Sequence, residues 1–225
     1  RIVRPDIAVI TNIGYRHVGL FGSLANTTRA KFEIADGLSS DCFMLLNGDD
    51  PRLVKAARER GLKTIFYGMS SKCQIRPDSA GIDNEKKVYF RLDGTVFHLS
   101  MPGRHLIYSA LPAICIGRRC GIPDEIIAET LASQKPLAMR GTVQVKNGVS
   151  FIVDCYNDNP SSMKSAIAYL ADMAETSNRV AIVGDMLELG SYSKRLHREL
   201  GKDLVNAGVK KIIAVGEFAT DVASA

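Results

Sequence analysis

Residues 6–13, DIAVITNI, form a short apolar run closed by polar residues and glycine, the pattern of a strand covered on both faces of a parallel sheet. After a loop holding His17, residues 24–38 take up a helical period, with Thr27, Lys31, Ile34 and Leu38 along one stripe. A second strand is expected at 42–46, then a turn at Asn47-Gly48-Asp49-Asp50-Pro51 feeding a helix through Gly61, and a third strand at 63–67. Strand, helix, strand, helix, strand in this order argues for a parallel α/β sheet.

The rhythm then changes. Short strands are expected at 73–75, 87–92 and 95–100, the last two joined across Asp93-Gly94, a strong hairpin signal. Helices are predicted at 105–119 and 123–133, and Pro136 marks the expected hinge, because proline cannot continue a helix. A second α/β unit follows it. Strands at 142–146 and 151–153 flank an Asn147-Gly148 turn, and a helix starts after Pro160 and runs to about residue 174 with Ser161 or Ser162 as its cap. A strand at 180–183, a helix at 191–207, a strand at 211–215 and the opening of one more helix complete the pattern.

Composition narrows the class. A chain of 225 residues is expected to hold two domains, and 46% hydrophobic with 24% charged residues excludes disorder. The net charge of +5 is spread along the chain, which suits anionic small molecules and argues against a nucleic-acid partner. No apolar run approaches the roughly 20 residues of a membrane helix and no signal peptide is visible, so a cytoplasmic protein without membrane insertion is expected. Cys42, Cys73, Cys115, Cys120 and Cys155 are odd in number and lack CxxC spacing, and they read as reduced thiols. The chain opens on Arg1 just before a strand and stops within a helical pattern, so it is expected to be a piece of a longer polypeptide.

The segment Val153-Asp154-Cys155-Tyr156-Asn157-Asp158-Asn159-Pro160-Ser161-Ser162-Met163 joins a strand end to a helix start, the place where open α/β sheets bind ligands and where helix N–H groups suit anions. A carboxylate there can accept from ribose hydroxyls; an Asx-rich turn with a good helix cap explains the same residues equally well. The segment resembles the DxYNANPxSM pattern of the Mur ligases that add D-alanyl-D-alanine. Three more segments agree in order. Ile10-Thr11-Asn12-Ile13-Gly14 with His17, Phe21-Gly22-Ser23, Lys31 and Glu33 is similar to ITNIGxxHxxxFGS…AKxEI. Met139-Arg140-Gly141 resembles the family's inter-domain GR element, and residues 184–190 its GDMxELG motif, followed by His197.

The resemblance implies a central, mostly parallel-sheet ATP-binding domain over 1–136, of the P-loop type with the loop itself missing. A Rossmann-like α/β C-terminal domain over 137–225 would follow, with the two meeting across a cleft. It implies ATP and Mg²⁺ as cofactors, UDP-N-acetylmuramoyl-tripeptide and D-alanyl-D-alanine as substrates, and a monomer. By the same resemblance Lys31 is a carbamate that helps hold Mg²⁺, His17 is a Mg²⁺ ligand, and Arg140 reaches the ATP phosphates. Asp154 contacts the ribose with Asn157 on the nucleotide side and Ser109 at the adenine pocket, while Asn159, Gly184 and Asp185 face the dipeptide. Taken as residues alone, Lys31 on an apolar stripe is a snorkelling lysine or a partly buried reactive amine. Likewise His17 is a solvated loop residue or a ligand, and Arg140 an ion-pair partner or a phosphate fork. Glu188 and His197 read as helix-start and helix-face residues, and 47–50 as a tight turn.

Two departures stand out. The Gly-Lys-Thr/Ser phosphate loop is absent, so the chain alone is expected to be inactive. The GxHNxxN element appears as Gly103 to Ser109 with Leu106 and Ser109 in the asparagine positions, and Gly19 stands where the family often has an acid. The rivals are another Mur-like amide ligase, such as a folylpolyglutamate synthetase, and a non-catalytic nucleotide-binding module. A nicotinamide oxidoreductase is disfavoured, because no GxGxxG follows a strand.

Overall fold

A computed structural model of the chain describes residues 4–39, 42–101, 103–135, 137–174 and 178–225. It divides into two compact units, one formed by the chain up to Ile13 together with Ser23–Gln134, the other by Gly14–Gly22 with Lys135–Ala225. The expected hinge at Pro136 lies outside the described residues.

The first unit is built on three parallel strands in the order β1 (Ile7–Ile10), β2 (Phe43–Asn47), β3 (Thr64–Tyr67). Met44, Leu45 and Leu46 of the central strand are wholly buried because both faces of the sheet are covered. On one face Met44 and Leu46 join Ala8, Ile10, Phe32, Leu53 and Ala57. The opposite face sends Phe43 and Leu45 into a larger cluster with Tyr67, Phe90, Phe97, Leu111 and Ile114. After β1 the chain makes a short helical turn, α1 (Val18–Phe21), which belongs to the second unit, and returns as α2 (Leu24–Lys31).

The strand expected over 6–13 therefore stops at Ile10, and the helix expected over 24–38 stops at Lys31, giving way to a 3₁₀ segment, Phe32–Gly37. A 3₁₀ turn advances about 120° per residue where an α-helix advances about 100°. The predicted stripe is broken there: Phe32 takes the buried place and Ile34 is exposed, while Lys31, still in α2, is exposed as well. Of the two readings of Lys31, the partly buried amine is not what the structure shows.

Helix α3 (Pro51–Glu59) starts cleanly because Asp50 is its cap and Pro51 its first residue. Beyond β3, residues 73–75 give only a single bridge, Ile75 with Tyr67, not the predicted strand. The antiparallel sheet is β4 (Ser79–Ile82), β5 (Val88–Leu92), β6 (Thr95–His98), and its first strand was not anticipated, because Ser-Ala-Gly-Ile carries almost no apolar alternation. Asp93 and Gly94 both have positive φ (50° and 86°), as the type I′ hairpin requires. Helices α4 (Ile107–Arg119) and α5 (Asp124–Ser133) pack Ile107, Leu111, Ile114 and Ile127 against this sheet's buried face.

In the second unit β7 (Thr142–Lys146) and β8 (Val149–Val153) pair antiparallel around Asn147-Gly148, again with both φ positive. Helix α6 (Pro160–Met173) is capped by Asn159 and not by Ser161 or Ser162. With Pro160 at the first helical position, Asn159 is the residue left outside. Its side chain accepts from the N–H groups of Ser161 (3.0 Å) and Ser162 (3.2 Å), and Ser162 Oγ accepts from the Asn159 N–H (2.9 Å), closing a capping box. Strand β9 (Val180–Val183), helix α7 (Ser193–Asn206), strand β10 (Lys211–Ala214, parallel to β9) and the short α8 (Ala219–Ala223) complete the unit. Leu196, Leu200 and Leu204 bury one face of α7. No described helix is long and apolar enough to cross a membrane.

Asp50 ties two of the elements in the first unit: one carboxylate oxygen accepts from the Ile13 N–H (2.7 Å) just after β1, the other from the Arg52 N–H (3.0 Å) in α3. Asp50→Ala removes a helix cap and leaves a buried N–H without an acceptor, a loss of about 2–3 kcal/mol. Urea unfolding should report it, with Asp50→Asn losing less than Asp50→Ala because one of the two acceptor oxygens remains.

Candidate functional site

The carboxyl end of β8 opens into the segment from Asp154 to Asn159. Arg140, exposed between Met139 and Gly141 (both of positive φ), lays its guanidinium over the Tyr156 ring at 4.1 Å. The placement is fixed by backbone, since the Cys155 N–H donates to the Met139 carbonyl (3.2 Å). Asp154 and Asp158 lie close enough to interact. The Asp158 carboxyl is pushed up to about 6, first by its burial and then by the Asp154 charge, against the opposing pull of Arg140. Arg140, Asp154 and Asp158 thus share one electrostatic neighbourhood. Asn157 is exposed, whereas the side-chain oxygen of Asn159 is committed to the helix cap. Sequence reading passed over Asp158; the available signal was an acid where the resembled pattern has alanine.

At the end of β9, Gly184 is exposed and a Cβ there would meet nothing within 4 Å. Asp185 faces inward along the turn: its two oxygens accept from the Glu217 N–H (2.7 Å) and the Phe218 N–H (3.1 Å) ahead of α8. His197, fully buried on α7, pairs Nδ1 with the Ser193 carbonyl (2.8 Å) and accepts the Met186 N–H at Nε2 (3.0 Å). Residues 14–22 lie against the same region. The Gly19 N–H donates to the Glu188 carbonyl (2.8 Å), and a Cβ on Gly19 would sit 2.8 Å from that oxygen and from the Gly190 nitrogen, so only glycine allows this approach. His17 and Glu188 both adopt left-handed backbone (φ 59° and 61°), and the His17 Nδ1 pairs with the Glu188 carboxylate. The other ring nitrogen of His17 accepts from Arg16 Nε (3.1 Å).

Tyr15 from this segment, Ser161, Met163 and Lys164 from α6, Met186, and Asp203 from α7 line a cavity of about 110 Å³. Residues from three of the segments singled out in the sequence meet there. Met186 supplies a nearly fully buried wall.

Lys31 and Ser109 belong to the first unit, while His17, Arg140, Asp154, Asn157, Asn159, Gly184 and Asp185 belong to the second. Lys31 is exposed at the end of α2, and its ammonium donates to the Asn12 carbonyl (2.9 Å). Ser109 is exposed in the first turn of α4. Its neighbour Tyr108 donates to Asp49 (2.9 Å), which also accepts the N–H groups of Met69 (2.6 Å) and Ser70 (3.2 Å), so the Asn47–Asp50 stretch is a structural turn. Among the described residues no three His, Cys, Asp or Glu side chains gather at metal-ligating spacing. Such a surface fits a cation only as Mg²⁺ is commonly held, by one or two protein donors with water and phosphate oxygens completing the shell.

The family model for the Mur ligase middle domain matches residues 1–117, and that for the Mur ligase, glutamate ligase domain matches residues 139–225. The UDP-N-acetylmuramoyl-tripeptide–D-alanyl-D-alanine ligase of Bacillus subtilis is 32% identical over 99% of this chain, and that of Escherichia coli 29% over all of it. The chain spans about half the length of these relatives, 49% and 50%. A crystal structure of MurF from Acinetobacter baumannii superposes with a TM-score of 0.89 at 27% identity, covering 99% of this chain and 49% of that one. MurF from Thermotoga maritima, solved in complex with ADP, gives 0.84 at 25% identity over 98% of this chain and 51% of that one. A folylpolyglutamate synthase from Thermotoga maritima, at 15% identity and a TM-score of 0.58, shares the fold alone. With one family model covering more than half of the chain and a second covering most of the remainder, the chain belongs to the Mur ligase family.

Proposed function

We propose that this chain supplies the central and C-terminal parts of an ATP-dependent ligase of the cytoplasm that joins D-alanyl-D-alanine to UDP-N-acetylmuramoyl-tripeptide during cell-wall synthesis. The observation that carries the reading is the order and placement of its motif segments. DCYNDNPSSM and GDMLELG both lie at carboxyl ends of strands, each flanked by a helix, and both contribute to one cavity. The similarity of nearly the whole chain to ligases of that name supports the same choice of acceptor over a folate-type one.

In this reading the γ-phosphoryl group of ATP passes to the terminal carboxylate of the tripeptide, giving an acyl phosphate and ADP. The dipeptide amine then attacks the acyl carbon, loses its proton, and phosphate leaves as the amide forms. Arg140, exposed and braced on Tyr156, offers a planar fork of donors to phosphate oxygens. Asp154 accepts from the ribose hydroxyls, Asn157 lies on the nucleotide side, and Ser109 takes the place of an adenine-contacting amide. Asn159 and Asp185 act through the turns they hold, leaving the open edge at Gly184 to face the acceptor. His17 and Lys31, the latter as a carbamate, would hold Mg²⁺, which when bound supplies charge neutralisation at the phosphates.

Three tests follow, each in a full-length ligase carrying this chain. Lys31→Ala should cut amide formation by at least about a hundredfold, with partial recovery on adding short carboxylates; unchanged turnover removes Lys31 from the mechanism. Asp154→Ala should raise the apparent KM for ATP about tenfold and leave that for the dipeptide nearly unchanged, and the reverse order refutes the ribose contact. Asp158 is neutral below about pH 6 and adds a second negative charge beside Asp154 above it. Affinity for the triphosphate should therefore weaken as pH rises through 6, and Asp158→Asn should flatten that part of the profile. A wild-type profile without this component rules the effect out.

A further inference from the structure

His197 is a buried imidazole that the proposed chemistry leaves without a role. Its surroundings fix its protonation pattern: the Ser193 carbonyl can only accept, so Nδ1 carries the proton, and the bare Nε2 accepts the Met186 N–H. A leucine would fill the space and extend the apolar face of α7, but would leave that N–H without an acceptor. The imidazole is held in turn by the Phe218 ring, stacked at 4.6 Å and 21°. Phe218 and Glu217 donate their N–H groups to Asp185, the residue before Met186. The Asp185 carboxylate also lies 4.0 Å from Nε2. His197, Met186, Asp185 and Phe218 thereby form a closed circuit around the turn that follows β9.

What the circuit holds is more than a loop. Met186 forms a wall of the cavity shared with Tyr15, Ser161 and Lys164, and Gly184 is the exposed edge of the same turn. We propose that His197 is a positioning residue that fixes the Gly184–Met186 turn, and with it the Met186 wall, in the shape that receives the methyl-bearing acceptor dipeptide. The inference rests on the ligase reading above and assigns the acceptor side of that site.

Two substitutions separate this role from simple packing. His197→Phe keeps the ring and its stacking and removes the acceptor; His197→Gln reaches the Met186 N–H with an amide oxygen. In the full-length ligase, His197→Phe should lose at least tenfold of the hydrogen-exchange protection at the Met186 amide. It should also raise the apparent KM for D-alanyl-D-alanine at least tenfold while the KM for ATP stays within twofold. His197→Gln should restore most of both. Unaltered protection in His197→Phe overturns the proposal, and so does a loosened amide with an unmoved dipeptide KM. Equal changes in both KM values, or a loss that glutamine does not repair in a variant melting near wild type, mark a general structural role and overturn it too. If His197→Phe fails to fold, His197→Gln alone decides, because its exchange protection and dipeptide KM must both stay near wild type. Absence of dipeptide-dependent phosphate release in the unmodified enzyme is the distinct failure of the ligase reading, and removes the inference with it.

Discussion

Where a strand ends and the chain turns toward a helix, the ladder stops and backbone N–H groups lose their partners, and those that are buried need an acceptor. An unpaired one costs about 1–3 kcal/mol, enough to decide the shape of a turn. This protein meets the demand with side chains. Asp50 takes the N–H of Ile13, Asp49 those of Met69 and Ser70, Asn159 those of Ser161 and Ser162, Asp185 those of Glu217 and Phe218, and His197 that of Met186. Each of these groups is spent on holding backbone. The groups left facing outward near strand ends are others: Arg140, Asn157 and the edge at Gly184.

This division explains what could be read from the residues alone. The parallel core was legible because its strands are unbroken apolar runs, and the hairpins because Asp-Gly and Asn-Gly favour the left-handed pair of conformations both turns adopt. The tightening of the helix after Lys31 was not, since an α and a 3₁₀ turn share the same residues and differ only in which neighbours Phe32 finds. Strand β4 escaped because it is held by pairing with β5 and carries no pattern of its own. In the site, the order of motif segments was visible, but not the direction in which each polar side chain spends its hydrogen bonds. Asp185 and Asn159 look like ligand contacts in a string of letters; in three dimensions the side-chain oxygens of both also accept from backbone N–H groups.

Gly19 illustrates a trade that one position cannot reveal. At Gly19 this chain has no side chain, and the space a Cβ would take is filled by the backbone of Glu188 and Gly190. The close approach brings a carboxylate in from elsewhere, because Glu188 reaches the imidazole of His17. Both partners sit in left-handed backbone that disfavours side chains, a conformation that persists only where surrounding contacts hold it. Held by the Glu188 carboxylate at Nδ1 and by Arg16 Nε at Nε2, the imidazole is fixed in one orientation.

Charge sets the last constraint. Among the described residues, Arg140, Asp154 and Asp158 bring one guanidinium and two carboxylates together at the end of β8, and the Asp158 carboxyl is pushed up to about 6. A triphosphate brought beside them meets net negative charge at physiological pH, and at the separations of neighbouring side chains each like-charge pair opposes binding by roughly 1–4 kcal/mol. Arg140 alone does not offset that repulsion. A nucleotide site built here therefore depends on cations beyond its own side chains, which is why the departure at Asp158 matters: an acid in place of alanine makes the demand for external positive charge larger and tunes it with pH.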